Sequence, residues 1–293
     1  MTYILIFALI VIAGIFVLRE SSGYNIVEYD ITTDKDISPV SFVMLSDLHD
    51  TDVTHDKNKR LMDSIDSLKP DFVVLAGDMI TSYMQPVYNS DKTFELLKSL
   101  AGKYRVYYGL GNHEQRYKEE PLKFPGKYDG LVTYVKELGI VFLSDDHADT
   151  DDNGIRIYGF DIPIENYKRG VRTHLPEGIM QDRLGTCDKE KFTILLAHTP
   201  DYFDDYAKWG PDLVLSGHIH GGIVGIPGIG GVLSPQLRLF PKYDFGKFEK
   251  DKTTLIVSRG IGWHSFPIRI FNKAELVRIN IHSNRGDKDG DQR

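Results

Sequence analysis

The sequence contains a single cysteine, Cys187, so no disulfide can form within the chain. It also lacks an excess of basic residues. The formal net charge of −7 argues against general nucleic-acid binding through a basic face, and no nucleic-acid partner is expected. No internal repeat of about 20 to 50 residues is visible, which excludes a solenoid. With 41% hydrophobic and 26% charged residues, the composition is typical of a globular protein with a sizeable core.

A long apolar run lies at the N-terminus, where all 16 residues from Tyr3 to Leu18 are apolar or small. As a helix this run would measure roughly 24 Å, slightly less than a typical membrane span. It is apolar all round, whereas a core helix is normally amphipathic. A signal peptide normally has Lys or Arg before its apolar run, and this chain has none there. Residues 21–23 are nevertheless small enough for a signal peptidase to cut. We therefore expect residues 1–20 to form a single-pass membrane anchor, with a cleaved signal or a core helix as alternatives.

Short apolar runs alternate with helical patterns along the rest of the chain. Strands are predicted over residues 40–45, 72–76, 105–110, 140–143, 155–160, 193–197, 213–215, 254–258 and 276–281. Helices are predicted over residues 56–68, 90–100, 128–138 and 201–208. This alternation predicts an α/β fold with parallel strands. The polar residues 21–39 are expected to form a linker, and the charged residues 283–293 a disordered tail.

Histidine, aspartate and asparagine residues follow several of the predicted strands. The motifs are Asp47-Leu48-His49, Gly77-Asp78, Gly111-Asn112-His113-Glu114, Ala197-His198-Thr199 and Gly217-His218-Ile219-His220. An open α/β sheet gathers its functional groups at the carboxyl ends of its strands. Nitrogen and oxygen donors without a thiolate suit Mn²⁺, Fe or Zn²⁺ at a reactive centre rather than a structural zinc. The motifs therefore predict a metal-dependent hydrolase.

This ordered set of motifs resembles the calcineurin-like metallophosphoesterase family, over residues 40–282. The apolar N-terminus and the segments 239–243 and 258–262 are similar to a membrane-associated bacterial branch of that family. The resemblance implies one domain made of two mixed β-sheets packed face to face, with helices outside. Because related membrane proteins tend to place this domain outside the cytoplasm, an extracytoplasmic domain is expected here.

The resemblance also implies two divalent cations, with Asp78 as the ligand that bridges them. The other implied ligands are Asp47, His49 and His220 at one cation and Asn112, His198 and His218 at the other. His113 is implied to contact the substrate, where it would hydrogen-bond a phosphate oxygen and protonate the leaving group. Glu114 is expected to position its neighbours rather than to bind metal.

The expected function is hydrolysis of a phosphate ester, more readily a phosphodiester than a monoester, in a lipid-linked or cell-envelope substrate. One alternative is a phosphomonoesterase, or a pyrophosphatase that acts on a lipid-linked sugar intermediate. Another is a non-catalytic scaffold of the same fold. Substrate choice is expected to depend on three segments around the motifs, residues 79–89, 115–128 and 221–252.

Overall fold

A computed structural model describes residues 2–83, 90–151, 154–168, 170, 173–222, 225–226, 230–232, 234, 239–263 and 269–284. Most of the expected tail, residues 285–293, lies outside the described residues, as do residues 84–89 of the first rim segment.

The described residues form helices and strands that alternate along most of the chain. The helices are α1 (Thr2–Ser21), α2 (Lys59–Leu68), α3 (Asp91–Ala101), α4 (Asn112–Glu119), α5 (Lys127–Glu137), α6 (Ile179–Leu184) and α7 (Phe203–Trp209), with 3₁₀ turns at Ile164–Tyr167 and Pro200–Tyr202. The strands are β1 (Tyr24–Thr33), β2 (Val40–Leu45), β3 (Phe72–Ala76), β4 (Arg105–Gly109), β5 (Val141–Leu143), β6 (Asp146–Asp149), β7 (Ile155–Gly159), β8 (Phe192–Leu196), β9 (Leu213–Ser216), β10 (Gly225–Ile226), β11 (Gly230–Gly231), β12 (Gly246–Lys250), β13 (Thr253–Val257) and β14 (Ala274–Ser283).

Two six-stranded sheets form the body of the protein. The first has the strand order β1-β14-β2-β3-β4-β5 and is parallel except where β14 meets β2. The second has the order β12-β13-β9-β8-β7-β6, and its inner strands are parallel while both edge strands are antiparallel. The two mixed sheets and the parallel α/β arrangement were both expected from the sequence, and both are confirmed.

The sheets pack against each other through side chains that alternate along each strand. In β2, Phe42 and Met44 belong to the core between the sheets, whereas Val43 and Leu45 belong to the core under α2 and α3. In β8, Ile194 and Leu196 face the first sheet in the same way. Because both faces of these central strands are covered, their sequences are continuously apolar, as is usual for buried parallel strands. The layered core fixes the carboxyl ends of both sheets relative to each other.

The linker predicted over residues 21–39 is wrong in its central part. Tyr24–Thr33 forms β1, which pairs in parallel with β14 over ten residues. Since β1 lies at the edge of its sheet, most of its side chains are exposed or half-buried, and its sequence is correspondingly polar. Its partner strand lies about 250 residues further along the chain, so no local pattern reveals the pairing. The edge strands β6 and β12 escaped prediction because their side chains are also exposed or half-buried and form no apolar run.

Helix α1 carries the predicted apolar run and extends away from the core. Residues Tyr3–Ser21 are long and apolar enough to cross a membrane, and this stretch is not buried inside the protein. The core-helix alternative is therefore wrong. At its end, the Ser21 Oγ accepts a hydrogen bond of 2.9 Å from the Arg269 backbone N–H, which fixes α1 to the globular domain.

Candidate metal centre

The eight predicted site residues converge at the carboxyl ends of five strands. Asp47 and His49 follow β2, Asp78 follows β3, Asn112 and His113 begin α4 directly after β4, His198 follows β8, and His218 and His220 follow β9. All eight are buried, with side chains no more than 8% exposed. The two sheets thus contribute to one site, as an α/β sheet does at its strand ends.

The backbone at this site is unusually strained. Five of the site residues have positive φ angles between 50° and 68°, and these are Asp47, His49, Asp78, His218 and His220. Left-handed backbone costs an L-residue other than glycine about 1–2 kcal/mol. Strain of this kind persists where the surrounding structure enforces it, commonly at functional sites. No pattern in the sequence indicates this strain.

Glycine beside the site residues allows the loops to approach closely. Gly77 has a φ of +90°, and a Cβ there would lie 2.5 Å from the Gly111 backbone nitrogen and 2.7 Å from His198 Nδ1. Any side chain at this position would therefore push the loops after β3 and β4 apart. The glycine in the Gly77-Asp78 motif is a packing requirement of the site.

Asp47, His49 and His220 form the first group of potential metal ligands. His49 Nε2 and His220 Nε2 lie 3.1 Å apart, and Asp47 Oδ1 lies 3.9 Å from the first and 3.3 Å from the second. The Asp47 carboxylate also accepts hydrogen bonds from the His218 backbone N–H at 3.0 and 3.2 Å. The two ring nitrogens and the carboxylate oxygen point at one small volume.

Asp78, His198 and His218 form the second group. Asp78 Oδ2 lies 3.1 Å from His198 Nε2 and 3.9 Å from His49 Nε2, so this oxygen stands between the two groups. The other oxygen, Oδ1, accepts the His113 backbone N–H at 2.8 Å. This placement is what a bridging ligand needs.

The two histidines of the Gly217-His218-Ile219-His220 motif serve different groups, for a reason the sequence did not indicate. An extended strand would send both rings to the same side. Because β9 ends at Ser216, both residues lie instead in a turn with positive φ. The turn directs His218 to the second group and His220 to the first.

The donors of the two groups fit a pair of divalent cations. The buried oxygen Oδ1 of Asn112 has no hydrogen-bond partner among the described residues, although buried polar atoms are normally paired. His198 Nδ1 lies 2.8 Å from the carbonyl oxygen of Ala76, which can only accept, so Nδ1 carries the proton. In the neutral ring, Nε2 therefore presents a lone pair to the site, the arrangement common for metal-binding histidine.

His113 has the opposite tautomer. The Ser82 backbone N–H, which can only donate, lies 2.7 Å from His113 Nδ1. Nδ1 is therefore the acceptor, and the ring proton of the neutral form resides on Nε2. That atom lies 4.0 Å from Asp78 Oδ2 and faces the site. Although His113 stands close enough to His49 and Asp78 to be grouped with them, it offers a proton there rather than a lone pair.

The buried carboxylates and imidazole rings of the site shift one another's pKa values. Burial disfavours a charged ring, but the carboxylates of Asp78 and Asp47 outweigh it and raise the pKa of His198 to about 10. Burial raises the pKa of Asp47 to about 6. Burial alone would also raise the pKa of Asp78, but the nearby rings of His198 and His113 hold the pKa of this carboxyl well below its usual range. A proton thus occupies His198 where a cation would bind, so metal binding should release protons.

Glu114 fixes the loop that carries Asp78, as the sequence analysis expected. Its carboxylate accepts the backbone N–H groups of Asp78 and Met79 at 2.9 Å, that of Gly111 at 2.9 Å, and the Tyr108 hydroxyl at 2.7 Å. Both oxygens are thereby engaged. Burial and the charge of Asp78 raise the pKa of Glu114 to about 7.

Two further positioning residues were missed. The buried Arg269 donates to the carbonyl groups of Arg259, Gly260, Gly262 and Asn272, and so holds the loop against Asp47. The Asn272 amide donates to the carbonyl groups of His220 and Gly222. No motif surrounds either residue in the sequence, and their partners lie elsewhere in the chain.

An open cleft of about 740 Å³ leads from the second group to the surface. Asn112, His113 and His218 lie at its inner end, and Tyr83, Phe124, Ile164 and Tyr167 supply apolar walls. Three cations also line it, Arg116, Lys123 and Lys168. Lys123 is paired with Glu120 at 2.8 Å, whereas no carboxylate among the described residues pairs with Arg116. Part of the predicted rim segment 115–128 therefore does face the site.

Comparison with known proteins gives a consistent result. The model of the calcineurin-like phosphoesterase family matches residues 40–222, which include all eight site residues. An uncharacterized metallophosphoesterase of Aquifex aeolicus is 27% identical over 281 residues, covering 92% of this chain and 97% of that protein.

Two longer relatives come from animals. A zebrafish protein named as a transmembrane protein with metallophosphoesterase domain is 25% identical to this chain. The alignment covers 87% of this chain and 56% of the zebrafish protein. A Caenorhabditis elegans protein named as a putative metallophosphoesterase is 27% identical, and the alignment covers 83% of this chain and 48% of that protein. The chain therefore spans about half the length of these two curated relatives.

Proposed function

The chain belongs to the calcineurin-like phosphoesterase family, and we propose that it hydrolyses phosphodiesters with the help of two divalent cations. The observation that carries the proposal is the meeting of two buried nitrogen and oxygen donor groups at the Asp78 carboxylate. Every proposed ligand position holds a side chain able to bind metal, which disfavours a non-catalytic scaffold.

In this proposal the residues divide between two cations of the Mn²⁺, Fe or Zn²⁺ type. Asp47, His49 and His220 hold one cation, Asn112, His198 and His218 hold the other, and Asp78 contacts both. Bound there, such cations withdraw charge from phosphoryl oxygens and lower the pKa of water at the site.

The residues of the chain supply positioning and a proton. Ser82 holds His113 so that its Nε2–H points into the site, where it can donate to a phosphate oxygen or to the leaving oxygen. His113 is also the second residue of α4, and the N-terminus of a helix favours a bound anion. Tyr167, whose ring centroid lies 5.0 Å from that of His218, limits the space beside the second group.

The size and lining of the cleft favour a substrate whose phosphate carries an organic group. Its volume of about 740 Å³ is far larger than one phosphate needs, and its aromatic and aliphatic walls can pack against a leaving group. This favours a diester over a small monoester. Three cations and two carboxylates, Glu120 and Glu165, line the cleft. The excess of positive charge supports a second candidate, a pyrophosphatase acting on a lipid-linked sugar intermediate, because a diphosphate carries additional negative charge.

The test is hydrolysis of matched substrates by the purified full-length protein with Mn²⁺. We expect kcat/KM for bis(p-nitrophenyl) phosphate to exceed that for p-nitrophenyl phosphate, and metal analysis to give two equivalents per chain. A preference for an alkyl diphosphate would favour the second candidate. A folded protein with two bound cations and no turnover of any ester would contradict the proposal.

Arg116 provides a prediction for the cleft. Its Nη1 lies 3.3 Å from Ser82 Oγ, and it stands three residues after His113 on α4, so it can reach a negatively charged substrate group. Arg116→Ala should raise KM for the diester about tenfold, which corresponds to one hydrogen bond to a charged group. kcat should change less. Lys123→Ala serves as the control, because Lys123 already pairs with Glu120. Equal effects of the two substitutions would contradict a specific role for Arg116.

We also propose that α1 anchors the protein in the cell membrane as a single span, with the catalytic domain outside the cytoplasm. The apolar helix, which is not buried inside the protein, and the naming of a zebrafish relative as a transmembrane protein support the anchor. A lipid-linked or cell-envelope phosphoester would then be within reach of the site. The orientation follows the resemblance to the membrane-associated branch of the family.

Fractionation tests the anchor. The full-length protein should stay in the membrane fraction through high salt and alkaline washing and be released by detergent, because its attachment is apolar burial rather than charge. Terminal sequencing should find the original N-terminus. Full-length protein in the soluble fraction would contradict the anchor, and a new N-terminus at Tyr24 would indicate a cleaved signal instead.

A further inference from the structure

We propose that the globular domain inserts an apolar face into the bilayer beside α1. This juxtamembrane face consists of Ile226, Leu239, Phe240 and Phe271, all exposed, by 41% to 68%. Apolar side chains exposed together in this way commonly mark an interaction surface. The inference rests on the proposed anchor and not on the proposed catalytic activity.

Backbone contacts join the members of the juxtamembrane face. The Gly225 N–H donates to the Ile270 carbonyl at 2.9 Å, which places Ile226 beside Phe271. Gly225 also pairs with Gly231, and the Phe240 N–H donates to the carbonyl of the adjacent Val232 at 2.9 Å. These bonds bring the segments that carry the four side chains together, and Ile226 and Phe271 line the same open cavity.

The depth of this surface follows from its contact with α1. The ring centroids of Phe271 and Phe16 lie 4.9 Å apart. Phe16 is five residues before Ser21, the last residue of α1, and five residues correspond to about 7.5 Å along a helix axis. Because the apolar run continues to Leu18, Phe271 stands level with its apolar part. If α1 spans the bilayer, Phe271 must lie at the level of the lipid chains or their immediate border.

This relative position is fixed by hydrogen bonding. The Arg269 backbone N–H donates to Ser21 Oγ at 2.9 Å, two residues before Phe271. Arg269 itself is tied to the loop next to Asp47 through its guanidinium group. The domain consequently cannot move away from the end of α1 without breaking these bonds.

The two aromatic residues of the face also have strained backbones. Phe240 has a φ of 48° and Phe271 a φ of 51°. A bulky residue rarely adopts this conformation, and neither ring gains enough burial in the protein to offset it. Insertion into lipid supplies the missing burial. Charged residues of both signs border this face, with Glu20, Asp244 and Lys273 lining the cavity beside Phe271 and Arg19 at the end of α1.

The juxtamembrane face is directly connected with the metal centre. Asn272 follows Phe271 and donates to the carbonyl of His220. Insertion therefore holds the His220 loop at a fixed distance from the membrane surface. The partner of this face is a lipid bilayer rather than another protein.

Spin labelling of the full-length chain in vesicles of phosphatidylcholine and phosphatidylglycerol tests the inference. Phe271→Cys and Phe240→Cys, each labelled in a Cys187→Ser chain, should show more collisions with oxygen than with a water-soluble nickel complex. Leu122→Cys is the matched control, because Leu122 is 98% exposed on the connection between α4 and α5. Its label should favour the nickel complex.

The outcomes separate the two proposals. Nickel accessibility at positions 240 and 271 equal to that at position 122, in protein that remains in the vesicles, would overturn the inserted face while leaving the anchor intact. Failure of the full-length protein to associate with vesicles would overturn both. Metal content and hydrolysis by each labelled protein verify that it is folded, and neither depends on the inserted face being correct.

Discussion

Asp78→Asn is expected to lower kcat by about 10³-fold or more, because the several kcal/mol of stabilisation that paired cations provide would be lost. The substitution removes one negative charge from between the two donor groups, where Asp78 Oδ2 lies 3.1 Å from His198 Nε2 and 3.9 Å from His49 Nε2. Asparagine retains an oxygen that can accept the His113 N–H, so the loop should keep its shape. Metal analysis should show that both cations bind more weakly.

Asp50→Asn is the matched control for this prediction. Asp50 is half-buried in the loop after β2, and its oxygens accept from the Thr81 N–H at 2.9 Å and the Thr93 hydroxyl at 2.7 Å. The control should retain metals and most of the activity. An Asp78→Asn protein with two bound cations and near-normal turnover would show that Asp78 is not the bridge. Equal losses in both variants would indicate a general effect of buried charge in these loops.

The position of the site was predictable because its evidence is local. Each ligand motif directly follows an apolar run, as Asp78 follows β3 and His198 follows β8, and a short run of this kind identifies a buried strand by itself. The strand ends of a parallel sheet lie together, so the convergence of these motifs follows from the fold class. The same reasoning could not specify that a second sheet contributes ligands. That came only from the resemblance.

The features of the fold and the site that could not be predicted depend on contacts between segments far apart in the sequence. The Ser82 N–H that determines the His113 tautomer is 31 residues away, and the Asn272 amide that holds His220 is 52 residues away. β1 needs β14 as its partner. The turn that separates His218 from His220 arises because β9 ends before them, a boundary that the sequence leaves uncertain by a few residues. None of these features produces a periodic or compositional pattern.

The tautomers of His113 and His198 predict that their replacement will have different consequences. His198 presents a lone pair at Nε2, so His198→Ala should lower the metal content. His113 presents a proton at Nε2, so His113→Ala should leave the metal content nearly unchanged while lowering kcat by roughly 10²–10⁴-fold, the usual range for proton transfer by a side chain. The comparison uses metal analysis and turnover measured on the same protein preparations.

The leaving group determines whether His113 acts as an acid or only binds phosphate. If His113 protonates the leaving oxygen, His113→Ala should impair hydrolysis of an alkyl ester much more than that of a p-nitrophenyl ester, whose leaving group needs no proton. If Nε2–H only binds a phosphate oxygen, both esters should suffer equally and the acid role is wrong. Loss of one metal equivalent in His113→Ala would instead make His113 a ligand, against the hydrogen bond that occupies its Nδ1 at 2.7 Å. Because the Ser82 donor is a backbone N–H, Ser82→Ala should preserve that hydrogen bond and most of the activity.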